Sequence, residues 1–499
     1  MQLRQKVLGI SVLALAISGC AVNTQPIDRL ASEQRAKSDL QIMFKDQEPL
    51  SGPLTLHTAM ARAVKYNLEA RLKVMEEAMA YRQMDLARLD MLPRMALQAG
   101  YAGRSNVSAS SSRSILTGNQ SLEPSTSQDR NREIGDLTMV WNVLDFGVSY
   151  VSAKQQADQR LIIKERRRKV VHTIIQDVRS AYWRALTAER LLKRIDTLMA
   201  RVQSAQDNSR QMGQERVGDV VQTLGYQRAL IEATRQLKEQ RRALSLAKTE
   251  LATLINLPLG SDFSLTDDSS YRVPELKVDL GRLEQEALTS RPELREQDYQ
   301  ARISAAETRK AMLRMLPGLE LNAGAHYDSN SFLSNQSWAD YGAKITWNLF
   351  EVLKAPAAIN LAKTGEQVAA ARRQAMSIAV LAQLHVANAN YHEARQRFQT
   401  SQELAGIDEQ IVEQLRNRYQ ADGLGELALI QGELNVLHAE LERDLAYADL
   451  RNAYGQIFAS AGLDPLPSEL PSGRLNDIAS ALAGSEARWQ EGDIGRQSL

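Results

Sequence analysis

Apolar residues recur along this chain with two different periods, and the switches between them mark out its elements. From Leu56 to Asp90 apolar side chains return every third or fourth residue among Ala, Met, Glu and Arg, the spacing of an amphipathic helix. Pro93 ends that pattern. Met95, Leu97, Ala99 and Tyr101 then alternate with polar or small residues, the period of a strand. A second alternating stretch sets Leu137, Met139, Trp141 and Val143 on one face against Thr138 and Asn142 on the other. Helix spacing returns from Ala153 to about Gln211, roughly 60 residues or ~90 Å of helix. A shorter helical partner runs from about Asp219 to Asn256, ahead of Pro258.

The whole series then repeats. Leu92-Pro93-Arg94-Met95-Ala96-Leu97-Gln98-Ala99-Gly100-Tyr101 aligns without a gap on Leu316-Pro317-Gly318-Leu319-Glu320-Leu321-Asn322-Ala323-Gly324-Ala325, an offset of 224. The same offset lays Leu56 on Leu280, Ala63 on Ala287, Glu69 on Glu293 and Arg71 on Arg295. Trp141-Asn142-Val143-Leu144 matches Trp347-Asn348-Leu349-Phe350 at 206, so 224 less 206 leaves 18 extra residues between the landmarks of the first copy. They fall in the Ser- and Asn-rich stretch Arg104 to Arg132, expected as a flexible surface loop. In the second copy Leu319, Leu321, Ala323, Ala325 and Tyr327 oppose Glu320, Asn322 and His326. Ala343, Ile345, Trp347 and Leu349 likewise oppose Lys344, Thr346 and Asn348. A long helix is expected from Pro356 to about Arg418 and its partner from Glu426 to Ala461, before Pro465. The chain therefore divides into a first repeat over 54–260 and a second over 278–465. A segment 20–53 precedes them, and a tail 466–499, rich in Gly, Ser and charge, is expected to be poorly ordered.

Helices of that length do not fit a compact globule; they suit a hollow cylinder or a coiled-coil scaffold, and a scaffold leaves the embedded strand pairs unexplained. One apolar and one polar face per strand is what a transmembrane barrel needs, although a soluble sheet packed on helices alternates equally well. After residue 20 no apolar run reaches the ~20 residues of a membrane-spanning helix, so any spanning structure must be a β-barrel. Four strands cannot close one. Three chains would supply twelve, about enough to enclose a water-filled lumen. On this reading Trp141, Trp347 and Tyr341 form an interfacial aromatic belt near the strand ends. An oligomer is therefore implied, although the strands do not fix its number, and the predicted fold class is mainly α with a transmembrane β-barrel built from four strands of each chain.

Composition narrows the partners. Lys plus Arg number 61 and Asp plus Glu 60, a net charge of +1 that offers nucleic acid no basic surface. Proline, at 13 in 499 residues, is scarce enough to leave long helices uninterrupted. At the start, Arg4 and Lys6 precede the apolar run Val7 to Ile17, which is of signal-peptide and not membrane-span length, so 1–19 reads as a signal segment. Ile17-Ser18-Gly19-Cys20 resembles the bacterial lipobox. That resemblance implies cleavage before Cys20, its acylation and, with Ala21 next, an address at the outer membrane facing the periplasm. Cys20 is the only cysteine, so neither a disulfide within the chain nor a cysteine metal cage is open to it.

In their order within a duplicated frame, Leu92-Pro93-Arg94, Trp141 with Asp145-Phe146-Gly147, Arg291-Pro292-Glu293-Leu294-Arg295 and Arg418-Tyr419 resemble TolC-like outer-membrane efflux proteins over about residues 54 to 465. The resemblance implies a homotrimer with a twelve-stranded barrel and a long α-helical periplasmic barrel, docked to a periplasmic adaptor protein and an inner-membrane pump or ABC exporter. It also implies a periplasmic tip closed by charged contacts. Asp219 takes that gate role in the first copy. In the second, Leu429 and Gly432 stand near the places where acidic residues are expected, so that acidic ring is either absent or displaced to Asp422 or Glu426, with Arg416 and Arg418 as candidate partners. A solvated turn would hold the same charges.

Catalysis finds no support. The six histidines are scattered, and His385 and His392 are seven residues apart, which is not metal-ligand spacing. No phosphate loop or nucleophile elbow occurs and no cofactor is implied. Two cargoes fit the same passive duct: small molecules in a tripartite efflux system, or a polypeptide in type I secretion.

Overall fold

A computed structural model describes residues 26–121, 123–214, 220–266, 270–421, 425–467 and 473–495. Helix α1 (Arg29–Met43) starts on Asp28, whose carboxylate accepts from the Ala31 amide. The expected single helix from Leu56 to Asp90 is two, α2 (Leu56–Tyr66) and α3 (Leu68–Leu89). Asn67 makes the break: its side chain accepts from the Glu69 and Ala70 amides and so caps α3. The aligned Arg291 separates α7 (Leu280–Ser290) from α8 (Pro292–Leu313), since a residue before proline avoids the helical region. The repeat thus extends to its helix break, by two different chemical devices.

The two strand pairs form one antiparallel sheet. β1 (Arg94–Gly103), β4 (Asn131–Asn142), β5 (Gly318–Asp328) and β6 (Ser337–Thr346) lie in that order. The register stacks like on like: Leu97 faces Leu137, which faces Ala325, which faces Ala339. Between β1 and β4 the stretch expected as a flexible loop holds a small hairpin, β2 (Ala109–Ser110) on β3 (Ser125–Thr126).

The long helices exceed expectation. α4 (Val143–Gln214) and α9 (Leu349–Gln420) each have 72 residues, about 110 Å at 1.5 Å per residue. Both begin where the strand period was expected to continue. Asn142 accepts from the Leu144 and Asp145 amides and Asn348 from Phe350, so the repeated Trp-Asn pair marks a strand-to-helix switch, and Val143 and Leu349 are helical. Pro356, expected as a helix start, lies inside α9 instead. The returning partners are α5 (Val220–Ser245) with α6 (Ala247–Leu254), and α10 (Glu426–Ser460).

The main core sits partway along the long helices, where α2, the middle of α4, α6 and α10 meet. Trp183 on α4 packs edge-on to Tyr447 on α10, centroids 5.1 Å apart, and Tyr182 bonds the carbonyls of Leu54 and Thr266 at 3.0 Å. The tail is not the loose segment its composition suggests. α11 (Leu475–Gln490) buries Leu475, Ile478, Leu482 and Trp489, with Trp489 stacked on Phe458 at 4.9 Å.

Candidate functional site

The sheet is the first half of the site. Its apolar face is bare in a single chain: Leu97 is 80% exposed, Tyr341 92% and Ile345 73%. Leaving such a face to water forfeits roughly 25 cal/mol per Å² of apolar surface, so it requires a cover of lipid or protein. The opposite face carries Gln98, Asp136, Asn322, His326 and Lys344, with Arg132 bonded to Asp328 at 2.8 Å. Among the described residues β1 and β6 each pair on one side only, so both sheet edges are open.

Of the expected aromatic belt, two members share one end of the sheet. Trp141 is the penultimate residue of β4 and packs edge-on to Phe146, centroids 5.9 Å apart. Trp347 stands just past β6 and donates to the Met315 carbonyl at 3.0 Å. Tyr341 is the exception. It lies at mid-strand opposite Ala323, because β6 already starts at Ser337, four residues before it, and runs on to Thr346.

The end of the long helices away from the sheet is the second half. Asp219, Asp422 and Cys20 lie outside the described residues. Glu426 opens α10, Arg416 lies in the last turns of α9, and a residue that sequence spacing did not single out joins them. Arg201, on α4 of the first repeat, is 3.1 Å from Glu433 and 3.7 Å from Glu426, and its guanidinium lies over the Tyr419 ring at 5.8 Å. Arg416 is 3.6 Å from the same Glu433. Arg418 is exposed and joins none of these contacts among the described residues. The contacts border a groove of about 370 Å³ lined by Arg194, Arg201, Arg416, Glu433 and Leu437 among others. Arg194 also pairs with the buried Glu440.

Part-exposed pairs of this kind contribute about 0.2–1 kcal/mol each. The network therefore ties the second helical hairpin to the first repeat firmly enough to bias a conformation and weakly enough to be broken. Nothing in the sequence distinguishes Arg201 or Glu433 from other charged residues on polar helix faces; their meeting depends on how α4 packs beside α10.

A four-stranded antiparallel sheet with one bare apolar face runs into two 72-residue helices, each with a shorter returning partner, and this is the fold of solved outer-membrane channels. No protein-family model and no curated protein sequence matches the chain. Solved structures do. The CmeC outer-membrane channel of Campylobacter jejuni superposes with a TM-score of 0.66 at 14% identity, over 93% of this chain and 97% of that one. CusC, described through the folding and formation of a transmembrane channel, gives 0.63 at 16% identity, over 84% and 95%. The open state of the Neisseria gonorrhoeae outer-membrane channel MtrE gives 0.60 at 19%, over 83% and 94%. At these identities the likeness establishes the fold.

Proposed function

We propose that this protein is the outer-membrane exit duct of a tripartite efflux system, a passive conduit and not an enzyme. Three copies join their open sheet edges into a twelve-stranded barrel, and the paired long helices of the three chains continue it as a tunnel through the periplasm. Acyl chains on Cys20 hold the assembly to the membrane. A periplasmic adaptor and an inner-membrane pump deliver substrate to the tip. The observation that carries this reading is the sheet itself, apolar and bare on one face, polar on the other, and unpaired at both edges. In lipid no sheet edge can remain open, and closure by three copies satisfies every edge at once. The contacts of Arg201, Glu426, Arg416 and Glu433 act as a latch on the tip, with Asp219 and Asp422 as further acidic members; Trp141 and Trp347 mark one membrane interface.

Single-channel conductance of the purified protein in planar bilayers, with its oligomeric mass measured alongside, tests the proposal. Discrete openings from a trimer are expected. A silent monomer overturns it and leaves a periplasmic scaffold.

A further inference from the structure

The latch is the outer end of a longer series of charges. Arg190, Arg194 and Arg201 on α4 meet Asp444, Glu440 and Glu433 on α10, and the steps are four and then seven residues on both helices. Four and seven residues are close to one and two turns, so the three pairs fall on one face of each helix. Leu198 and Leu437 lie between the second pair and the third. Arg201 also reaches Glu426, the first residue of α10, at 3.7 Å. Along this ladder the carboxylates go from dry to wet. The side chain of Asp444 is 2% exposed, Glu440 7%, Glu433 20% and Glu426 33%. Pairs open to water are screened and break readily, whereas a buried carboxylate stripped of its partners is left uncompensated. Separation of α10 from α4 therefore starts at Glu426 and meets rising resistance toward Asp444.

At Asp444 a residue from neither helix enters. Tyr271, in the linker between the repeats, donates its hydroxyl to Asp444 and accepts from Arg190 at 3.0 Å. Burial, and then the bond to Asp444, push the phenol pKa up, so the hydroxyl keeps the proton it donates. Its ring stands edge-on to Tyr447 of α10, centroids 5.3 Å apart, and 6.1 Å from Phe398 of α9. The guanidinium groups of Arg190 and Arg443 lie 5.5 Å and 4.7 Å from its centre. One side chain thus touches α4, α9 and α10. Its backbone is held at φ +43°, in the left-handed region that a tyrosine enters only when its surroundings impose it. The linker beyond it is fastened to the same helices, since the carbonyls of Arg272 and Pro274 accept from Tyr447 at 3.2 Å and from Tyr391 at 2.6 Å.

We propose that the hairpin of α9 and α10 swings away from α4 pair by pair from its tip, and that Tyr271 is the pin at which the swing ends. That the swing opens a duct rests on the conduit reading above; the swing itself needs no pore. The linker joining the repeats then has a mechanical role, because it fixes how far the second repeat can part from the first.

The test uses the full-length protein in detergent, carrying Cys20→Ser so that one introduced thiol is alone. Ile430→Cys, Leu437→Cys and Ala448→Cys each replace a buried residue of α10, beside the outer pairs, between Glu433 and Glu440, and one turn beyond Asp444. Maleimide labelling is expected to be fastest at position 430, slower at 437 and slowest at 448. Arg201→Ala should speed labelling at 430 and 437 roughly fivefold or more and leave 448 unchanged. Tyr271→Ala should speed labelling at 448, and Tyr271→Phe, which keeps the ring, should do so to a smaller degree. Equal rates at the three positions overturn the proposal, as does a rate at 448 that Tyr271→Phe and Tyr271→Ala both leave unchanged. In bilayers the wild-type protein and Arg201→Ala should share one largest conductance level, and Tyr271→Phe should add a larger one. The labelling pattern in a protein that forms no channel keeps the pin and discards the conduit; channels whose labelling ignores Tyr271 keep the conduit and discard the pin.

Discussion

Glu486 on α11 is buried with the charges that hold it. His57 Nε2 lies 3.0 Å from its carboxylate, Arg451 3.1 Å and Arg179 4.0 Å. Burial alone would raise the carboxyl pKa, but the His57 hydrogen bond and the two guanidinium groups outweigh it and hold the value at about 2. A carboxyl whose folded pKa lies below its unfolded value stabilises the fold fully above the unfolded pKa, here about 4.5, and loses that contribution as pH falls toward 2. Glu486→Gln should lower the unfolding temperature at pH 7, at a cost of about 3–5 kcal/mol because Arg179 is left buried without its carboxylate. The difference from wild type should shrink between pH 4.5 and 2, as scanning calorimetry across that window would show. Gly455 is part of the same cluster, since a Cβ there would sit 1.6 Å from Arg179 Nη1. Gly455→Ala must displace Arg179 and should reproduce the Glu486→Gln destabilisation; a wild-type unfolding temperature would refute the role given to that close approach.

Element by element, helix ends carry the consequences. α10 stops at Gly462, at φ +75°, where the Leu463 amide returns to the Phe458 carbonyl and the Arg291 guanidinium bonds the Ala459 carbonyl at 2.8 Å. A Cβ at 462 would also meet the Arg291 backbone at 2.7 Å, so Gly462→Ala should cost more than the ~1 kcal/mol of a strained left-handed residue alone. Denaturant melts would measure it. At the other end of α10 the proposed latch joins elements of both repeats. Its three ion pairs together amount to about 1–3 kcal/mol, an open-probability change of roughly 5- to 150-fold if they are made only in the closed state. Arg201→Ala with Glu433→Gln should raise channel open probability by that order, and high salt should have the same effect on the wild-type protein but little on the variant. Unchanged gating in the double variant would remove the latch.

For the whole molecule, the bare face and open edges make a single chain incomplete. Ile345→Asp, placing a charge on the bare apolar face of β6 that the proposed barrel turns to lipid, should cost the assembly somewhat less than the ~2–4 kcal/mol of an arginine at mid-membrane and reduce the yield of trimer in detergent, read by native mass spectrometry. The same mass measurement on the mature protein should show acyl chains on Cys20, and Cys20→Ser should lack them while still forming channels. A trimer untouched by Ile345→Asp would mean that this face meets protein, not lipid.

Features whose physics is local were already present in the amino-acid order. The duplicated frame, the alternating strands and the long helices show themselves because period 2 and period 3.6 are properties of neighbouring residues, and Pro93 and Pro292 punctuate them locally. The Asn142 and Asn348 caps were equally local, yet they read as strand positions because a polar residue in the right phase satisfies either pattern until the helix beyond it is seen. The tail is different in kind. Its Gly- and Ser-containing composition gives no hint of order, and α11 exists because Phe458, His57, Arg179 and Arg451, all distant in sequence, receive Trp489 and Glu486. Arg201 and Glu433, and the placing of His326 between Asp136 and Asp340, arise the same way. A charge on a helix or strand looks alike in sequence whether solvated or paired, and only packing across long sequence separations determines which carboxylate it meets.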